Sequence, residues 1–85
     1  MLRENELLDR VTVRPDVFGG KPIIRDMRIS VEHVLANLAA GETVESLIEE
    51  YPVLEPDDVR ACLLFAHRLL AGEHVHDRVA VREAS

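Results

Sequence analysis

The chain has 85 residues, of which 47% are apolar, and its formal net charge at pH 7 is −6. That length allows one small domain with an aliphatic core of limited depth, which favours a homodimer or a hetero-complex as a further source of stability. A single cysteine excludes an intramolecular disulfide, and no apolar run reaches the roughly 20 residues that span a bilayer, so we expect a soluble, cytoplasmic protein.

Residues 7–29 are predicted to form a short β arm. Apolar side chains alternate at Val11 and Val13, which is typical of a strand, and a turn signal follows them. Further along, two short extended pieces are predicted to flank a tight turn at Asp26-Met27. The arm is therefore expected to be a hairpin that precedes the helical part of the chain.

Residues 30–72 are predicted to form three helices. Ser30 and Thr43 are suitable N-caps for the first two, and each is followed by apolar residues at helical spacing. Pro56 stands at the first position of the third helix, which is the longest and which Gly72 ends. This pattern predicts one small domain over residues 1–72, with a C-terminal tail at 73–85.

Two faces of the third helix are expected to differ. A broad apolar arc indicates a helix that is central to the core or touches a second chain. The opposite face carries Arg60, Leu64, His67 and Arg68. It is either a solvated face with one stray leucine or a contact surface anchored by Leu64.

The tail after Gly72 has two interpretations. Val75, Val79 and Val81 share a parity that would place them on one side of a strand. The tail is therefore either a frayed terminus or a strand that adds to the sheet edge of a partner.

No constellation of catalytic residues stands out. His74 and His76 lack the cysteines or carboxylates that accompany zinc ligands, and Cys62 and His67 lie on different faces of one helix. We therefore expect no enzymatic activity, no metal and no cofactor.

Charge divides the chain into a basic arm and acidic helices. Between Ile29 and Val59 there are eight acidic residues and no lysine or arginine, whereas residues 10–28 carry five basic residues against two acidic ones. Acids repel DNA phosphates, and the first turn of the third helix contains Asp57-Asp58. Any nucleic acid is therefore expected to contact the arm, through Arg14, Lys21, Arg25 and Arg28.

Three stretches resemble a known bacterial family, domain of unknown function 433. They are residues 14–31, with the pattern GGKP followed by isoleucine and arginine, residues 38–41, and residues 51–54. The resemblance covers roughly residues 10–70 and departs from the family at Asp26-Met27, where Gly-Thr is usual. It implies a homeodomain-like fold and a VapB-type antitoxin that is often encoded beside a PIN-like ribonuclease toxin.

These observations predict a mostly α protein. A short N-terminal β arm or hairpin precedes a three-helix, homeodomain-like helix-turn-helix bundle and a C-terminal tail. Its expected function is to neutralise the toxin through the third helix and the tail, and to autoregulate its operon through DNA. The alternatives are a DNA-binding regulator and a small adaptor or structural domain without a toxin partner. The toxin-binding candidates are Arg60, Leu64, His67, Arg68, Val75, Val79 and Val81.

Overall fold

The computed structural model describes residues 2–72, so the predictions for Val75, Val79 and Val81 lie outside the described residues. The elements in chain order are α1 (Glu4–Leu8), β1 (Val11–Val13), a 3-10 turn (Phe18–Gly20), β2 (Pro22–Ile24), α2 (Val31–Ala39), α3 (Val44–Glu50) and α4 (Pro56–Ala71). The fold is mostly helical, with a two-stranded hairpin ahead of α2, α3 and α4. The prediction of a β hairpin followed by three helices is confirmed.

The three predicted helices begin at local capping signals. The Ser30 hydroxyl accepts a hydrogen bond from the backbone N–H of His33 at 3.0 Å and so caps α2. At the start of α3, Thr43 and Ser46 each accept a bond from the other's backbone N–H, at 3.0 and 2.9 Å. Pro56 opens α4, where a missing N–H costs nothing.

The hairpin pairs β1 with β2 in antiparallel register, with Val11 opposite Ile24. The segment that connects the two strands is residues 14–21. A separate tight turn directly after β2 is centred on Arg25 and Asp26, which both have left-handed φ angles, of 44° and 59°. The turn therefore lies one residue before the predicted Asp26-Met27. Contacts with β1 hold it there, because Arg25 N–H donates to the Arg10 carbonyl at 2.8 Å and Asp26 N–H donates to Thr12 Oγ1 at 2.9 Å.

An aliphatic core joins the hairpin to the helices. Its fully buried members come from β2, α2, α3, α4 and the segment before α4, and they are Ile24, Val31, Val34, Leu47, Leu54, Val59 and Cys62. The strands of the predicted β arm are consequently packed into the folded domain. Among the described residues, no helix combines the length and apolar content needed to cross a membrane.

The first helix, α1, was not predicted. It packs against α4, and its Leu7 is only 4% exposed. Arg68 of α4 also forms an ion pair with Glu4. The helix therefore covers one flank of α4 that sequence analysis had left open to solvent or to a partner.

Candidate functional site

A buried carboxylate, Asp58, stands at the centre of an ion cluster between the hairpin and α4. Arg25 grips it with two parallel bonds, from Nε to Oδ1 at 3.0 Å and from Nη2 to Oδ2 at 2.8 Å. Arg10 donates to Oδ1 at 3.0 Å, and the Glu55 backbone N–H donates to Oδ2 at 2.8 Å. The cluster thus ties the open end of the hairpin, where β1 begins and β2 ends, to the first turn of α4.

The surroundings of Asp58 favour its charged form. Burial alone would raise the pKa of this carboxyl, but the hydrogen bonds from Arg25, from the Glu55 backbone and from Arg10 outweigh burial and lower it. Hydrogen bonds to the Glu55 carboxylate and to Asp58 raise the pKa of the Arg10 guanidinium, and those to Asp58 raise the pKa of Arg25. The cluster is a permanent ion pair at neutral pH, and its chemistry is that of a structural clamp.

Most of the predicted nucleic-acid contacts already have acidic partners. Arg25 is held by Asp58 and also donates to the Val53 carbonyl at 2.8 Å. Lys21 Nζ lies 3.2 Å from a Glu32 carboxylate oxygen, and Arg14 Nε lies 3.6 Å from Asp16. The last two pairs are exposed and therefore exchange readily with solvent or ligand, whereas the buried bidentate contact of Arg25 does not.

Arg28 stands apart from the other three cations. It is exposed and lines a polar pocket near the start of α2, and it has no ionic or hydrogen-bond partner within residues 2–72. Of the four predicted nucleic-acid residues, it is the one whose charged group can bind a ligand without breaking a contact within residues 2–72.

The predicted toxin-binding flank of α4 is partly occupied. Arg68 pairs with Glu4, and Arg60 Nη1 contacts Asp57 Oδ1 at 3.1 Å. Leu64 is half-buried and lies one turn before Arg68, the residue that contacts α1, while His67 is exposed. This geometry leaves less open surface on the flank than the helical projection indicated, because α1 was not predicted.

An open apolar groove runs between α2 and the C-terminal half of α4. It has a volume of about 470 Å³, and its lining residues are Pro22, Val31, Glu32, Leu35, Ala36, Phe65, Ala66 and Leu69. Leu69 is 51% exposed, and Leu63 and Leu70 on the same helix are exposed to a similar degree. The broad apolar arc of α4 was the signal for this surface, but the sequence did not show which part of that arc the core leaves uncovered.

The possible metal ligands and the cysteine can be located in the described part of the chain. Residues 2–72 contain no cluster of three or more side chains that could hold a metal ion. Cys62 is fully buried, and burial raises the pKa of its thiol to about 12. This cysteine is therefore a small core residue, as its position in an apolar run predicted.

Comparison with known proteins places the chain in a family. It is 39% identical over 56 residues to uncharacterized protein y4eO of Sinorhizobium fredii (strain NBRC 101917 / NGR234), which covers 66% of this chain and 25% of that protein. The chain therefore aligns with about a quarter of that relative's length. No solved structure matches this chain. The family described as Protein of unknown function (DUF433) matches residues 11–66, from β1 into α4, and the chain belongs to this family.

Proposed function

We propose that this chain is an antitoxin-like protein that binds and neutralises a PIN-like ribonuclease, and that the groove between α2 and α4 is its docking surface. The observation that carries the proposal is the groove itself, an open apolar surface on an otherwise charged small domain. Exposed apolar patches of this kind are typical of protein interaction sites, because water contact with them is unfavourable until a partner covers them.

The shape of the groove suits an amphipathic helix from the partner. It is bounded by two helices, and its apolar lining includes Leu35, Phe65 and Leu69. A helix laid between two others buries its own apolar stripe and supplies directional packing. Glu32 at the groove offers a carboxylate to a basic side chain at the edge of that stripe.

Charge supports a basic partner. The chain carries a net charge of −6, and the exposed Glu45, Glu49 and Glu50 of α3 have no ion-pair partner among the described residues. A ribonuclease must attract the phosphates of its substrate, so its active-site surface is expected to be basic. Opposite potentials of this kind speed association and exclude wrong partners.

DNA binding through α4 is disfavoured by the structure. The first turn of that helix carries Asp57 beside the buried Asp58, so the end that a helix-turn-helix inserts into the major groove is acidic. Operator binding through the hairpin and the turn after it remains part of the proposal, with Arg14, Lys21 and Arg28 as its contacts and without Arg25, which Asp58 holds. We propose no catalytic activity for the chain.

Co-expression tests the proposal. The chain is produced together with a tagged PIN-like ribonuclease encoded beside it, and growth and co-purification are measured. We expect the chain to relieve growth arrest and to co-purify with the nuclease. Absence of such a neighbouring gene, or a nuclease that stays toxic and unbound, would instead favour the small adaptor domain. A wild-type homodimer that Leu69→Asp converts to monomers would assign the groove to a second copy of the chain.

A further inference from the structure

We propose that the polar pocket at the start of α2 binds one nucleotide unit of a single-stranded nucleic acid, with Arg28 on the phosphate and Phe18 against the base. The pocket has a volume of about 300 Å³ and is lined by Phe18, Arg28, Ile29, Ser30, His33 and Tyr51. It lies apart from the apolar groove and shares no lining residue with it. The proposal is therefore independent of toxin binding at the groove, and it shares Arg28 with the operator binding proposed above.

Arg28 supplies the positive charge of the pocket. Its guanidinium makes no ion pair with an acidic side chain of residues 2–72, in contrast to the paired Arg14, Lys21 and Arg25. A planar guanidinium matches the geometry of a phosphate and binds it with two parallel hydrogen bonds. The pocket therefore offers a phosphate a guanidinium that is not bound to an acidic side chain of residues 2–72.

Phe18 supplies an aromatic face in an unusual position. It is 47% exposed and has a φ of 48°, a left-handed conformation that is strained for a bulky side chain. Bonds from Gly20 N–H to the Val17 carbonyl at 3.0 Å and from Lys21 N–H to the Phe18 carbonyl at 3.3 Å maintain this turn. A half-exposed aromatic ring on a strained backbone contributes little to the stability of the core. Ligand-binding sites commonly contain such residues.

His33 and Tyr51 form a polar wall of the same pocket. The His33 Nε2 atom lies 2.9 Å from the Tyr51 hydroxyl, and the two rings meet edge to face at 84° with centroids 5.7 Å apart. This contact fixes both side chains and presents ring edges and polar atoms together. Such a wall suits the hydrogen-bonding groups of a sugar or base.

The combination favours an unpaired strand over a duplex. Stacking on Phe18 requires a base whose face is open, which a duplex does not offer. The pocket is also small, at the lower end of small-ligand sites, so it accepts one nucleotide unit. A short contact suits this chain, since a long stretch of phosphates would meet the acids of the helices.

Fluorescence anisotropy on the full chain alone tests the site. The probe is a labelled oligodeoxythymidine of roughly eight nucleotides at low salt, a length within the usual range for single-strand binders. We expect Arg28→Ala to weaken binding about tenfold, and Phe18→Leu to weaken it about fivefold, because each removes one direct contact. The matched control is Arg3→Ala, which removes the same charge from another exposed arginine that lies outside the pocket and the predicted nucleic-acid contacts, and it is expected to change affinity by less than about twofold.

Competition experiments test whether the site prefers a single strand to a duplex, a free nucleotide or an acidic peptide. We expect a duplex of the same length, free adenosine monophosphate and an oligoglutamate peptide each to displace the probe far less well than unlabelled strand. Wild-type chain that shows no saturable binding would overturn the proposal, as would equal losses in the Arg28→Ala and Arg3→Ala variants. Displacement by any of the three competitors as effective as that by the strand would also overturn it. The thermal unfolding midpoint of each variant confirms that it is folded. If Phe18→Leu is not folded, the affinity of Arg28→Ala decides the outcome.

Discussion

Asp58 shows how a single buried charge can be stabilising. An isolated carboxylate inside a protein is strongly destabilised, because it loses its hydration. Here four donors surround its two oxygens, and two of them belong to the same guanidinium, that of Arg25. Removing the carboxylate would leave Arg10 and Arg25 without their shared partner at the base of α4.

We predict that Asp58→Asn lowers the free energy of unfolding by about 2–4 kcal/mol, since it breaks a buried pair whose arginines are only partly desolvated. Urea unfolding at pH 7 measures this change. The matched control is Asp57→Asn, which removes the neighbouring and more exposed acid and is expected to cost less than about 1 kcal/mol. Equal losses in the two variants would contradict the role assigned to Asp58.

The pKa of Asp58 predicts an acid-sensitive stability. Because this pKa is lower in the folded chain than in the unfolded chain, the cluster's contribution is fully present above the ordinary aspartate pKa of about 3.9. It is lost as the pH falls from there through the folded-state pKa. Urea unfolding at several acidic pH values should show a shallower decline for Asp58→Asn than for the wild-type chain. An identical decline in the two chains would show that other groups govern acid unfolding.

At the scale of the elements, helix starts rest on local signals. The reciprocal bonds between Thr43 and Ser46 satisfy backbone donors that α3 would otherwise leave exposed. We predict that Thr43→Ala lowers the free energy of unfolding by about 1 kcal/mol. Glu49→Ala near the other end of the helix is the control and should cost nothing measurable. Thermal and urea unfolding report both, and a stable Thr43→Ala chain would contradict the capping role.

The short helix α1 is expected to contribute to stability even though it has five residues. Leu7 is its buried anchor, and its exposure of 4% resembles that of core residues. We predict that Leu7→Ala lowers the free energy of unfolding by about 2–3 kcal/mol through lost burial and a residual cavity. Leu70→Ala, which removes a side chain that is 55% exposed, should change it by less than about 0.5 kcal/mol. Comparable effects at the two leucines would show that α1 is not anchored to α4.

At the scale of the whole molecule, the sequence revealed what is local and missed what is long-range. Ser30, Thr43 and Pro56 predicted the starts of α2, α3 and α4 because capping involves neighbours in the chain. The turn after β2 lies at Arg25-Asp26 and not at the predicted Asp26-Met27, because contacts from Arg10 and Thr12, 14 or more residues away, hold it there. A five-residue helix is too short to show a period, so α1 could not be predicted from pattern.

The predictions for the candidate site show the same division between local and long-range information. The charges along the sequence showed a basic segment and an acidic one. They did not show that Arg25 forms an ion pair with Asp58, 33 residues later in the chain. Helical projection showed that the apolar arc of α4 is too broad for one neighbour. It did not show that α1 covers the Leu64 flank while the groove beside Phe65 and Leu69 stays open. Both differences arise because the sequence does not show which surfaces stay exposed once the chain has folded.

The most direct test of the docking surface is a calorimetric titration of the chain into the purified PIN-like ribonuclease. Leu69→Asp places a charge in the groove, and Val13→Asp places the same charge on a comparably exposed valine of the hairpin, outside the groove. We predict that Leu69→Asp weakens binding at least about tenfold, because the charge must be desolvated, while Val13→Asp stays within about twofold of wild type. Binding that Leu69→Asp leaves unchanged would contradict the assignment of the groove as the surface that meets the nuclease.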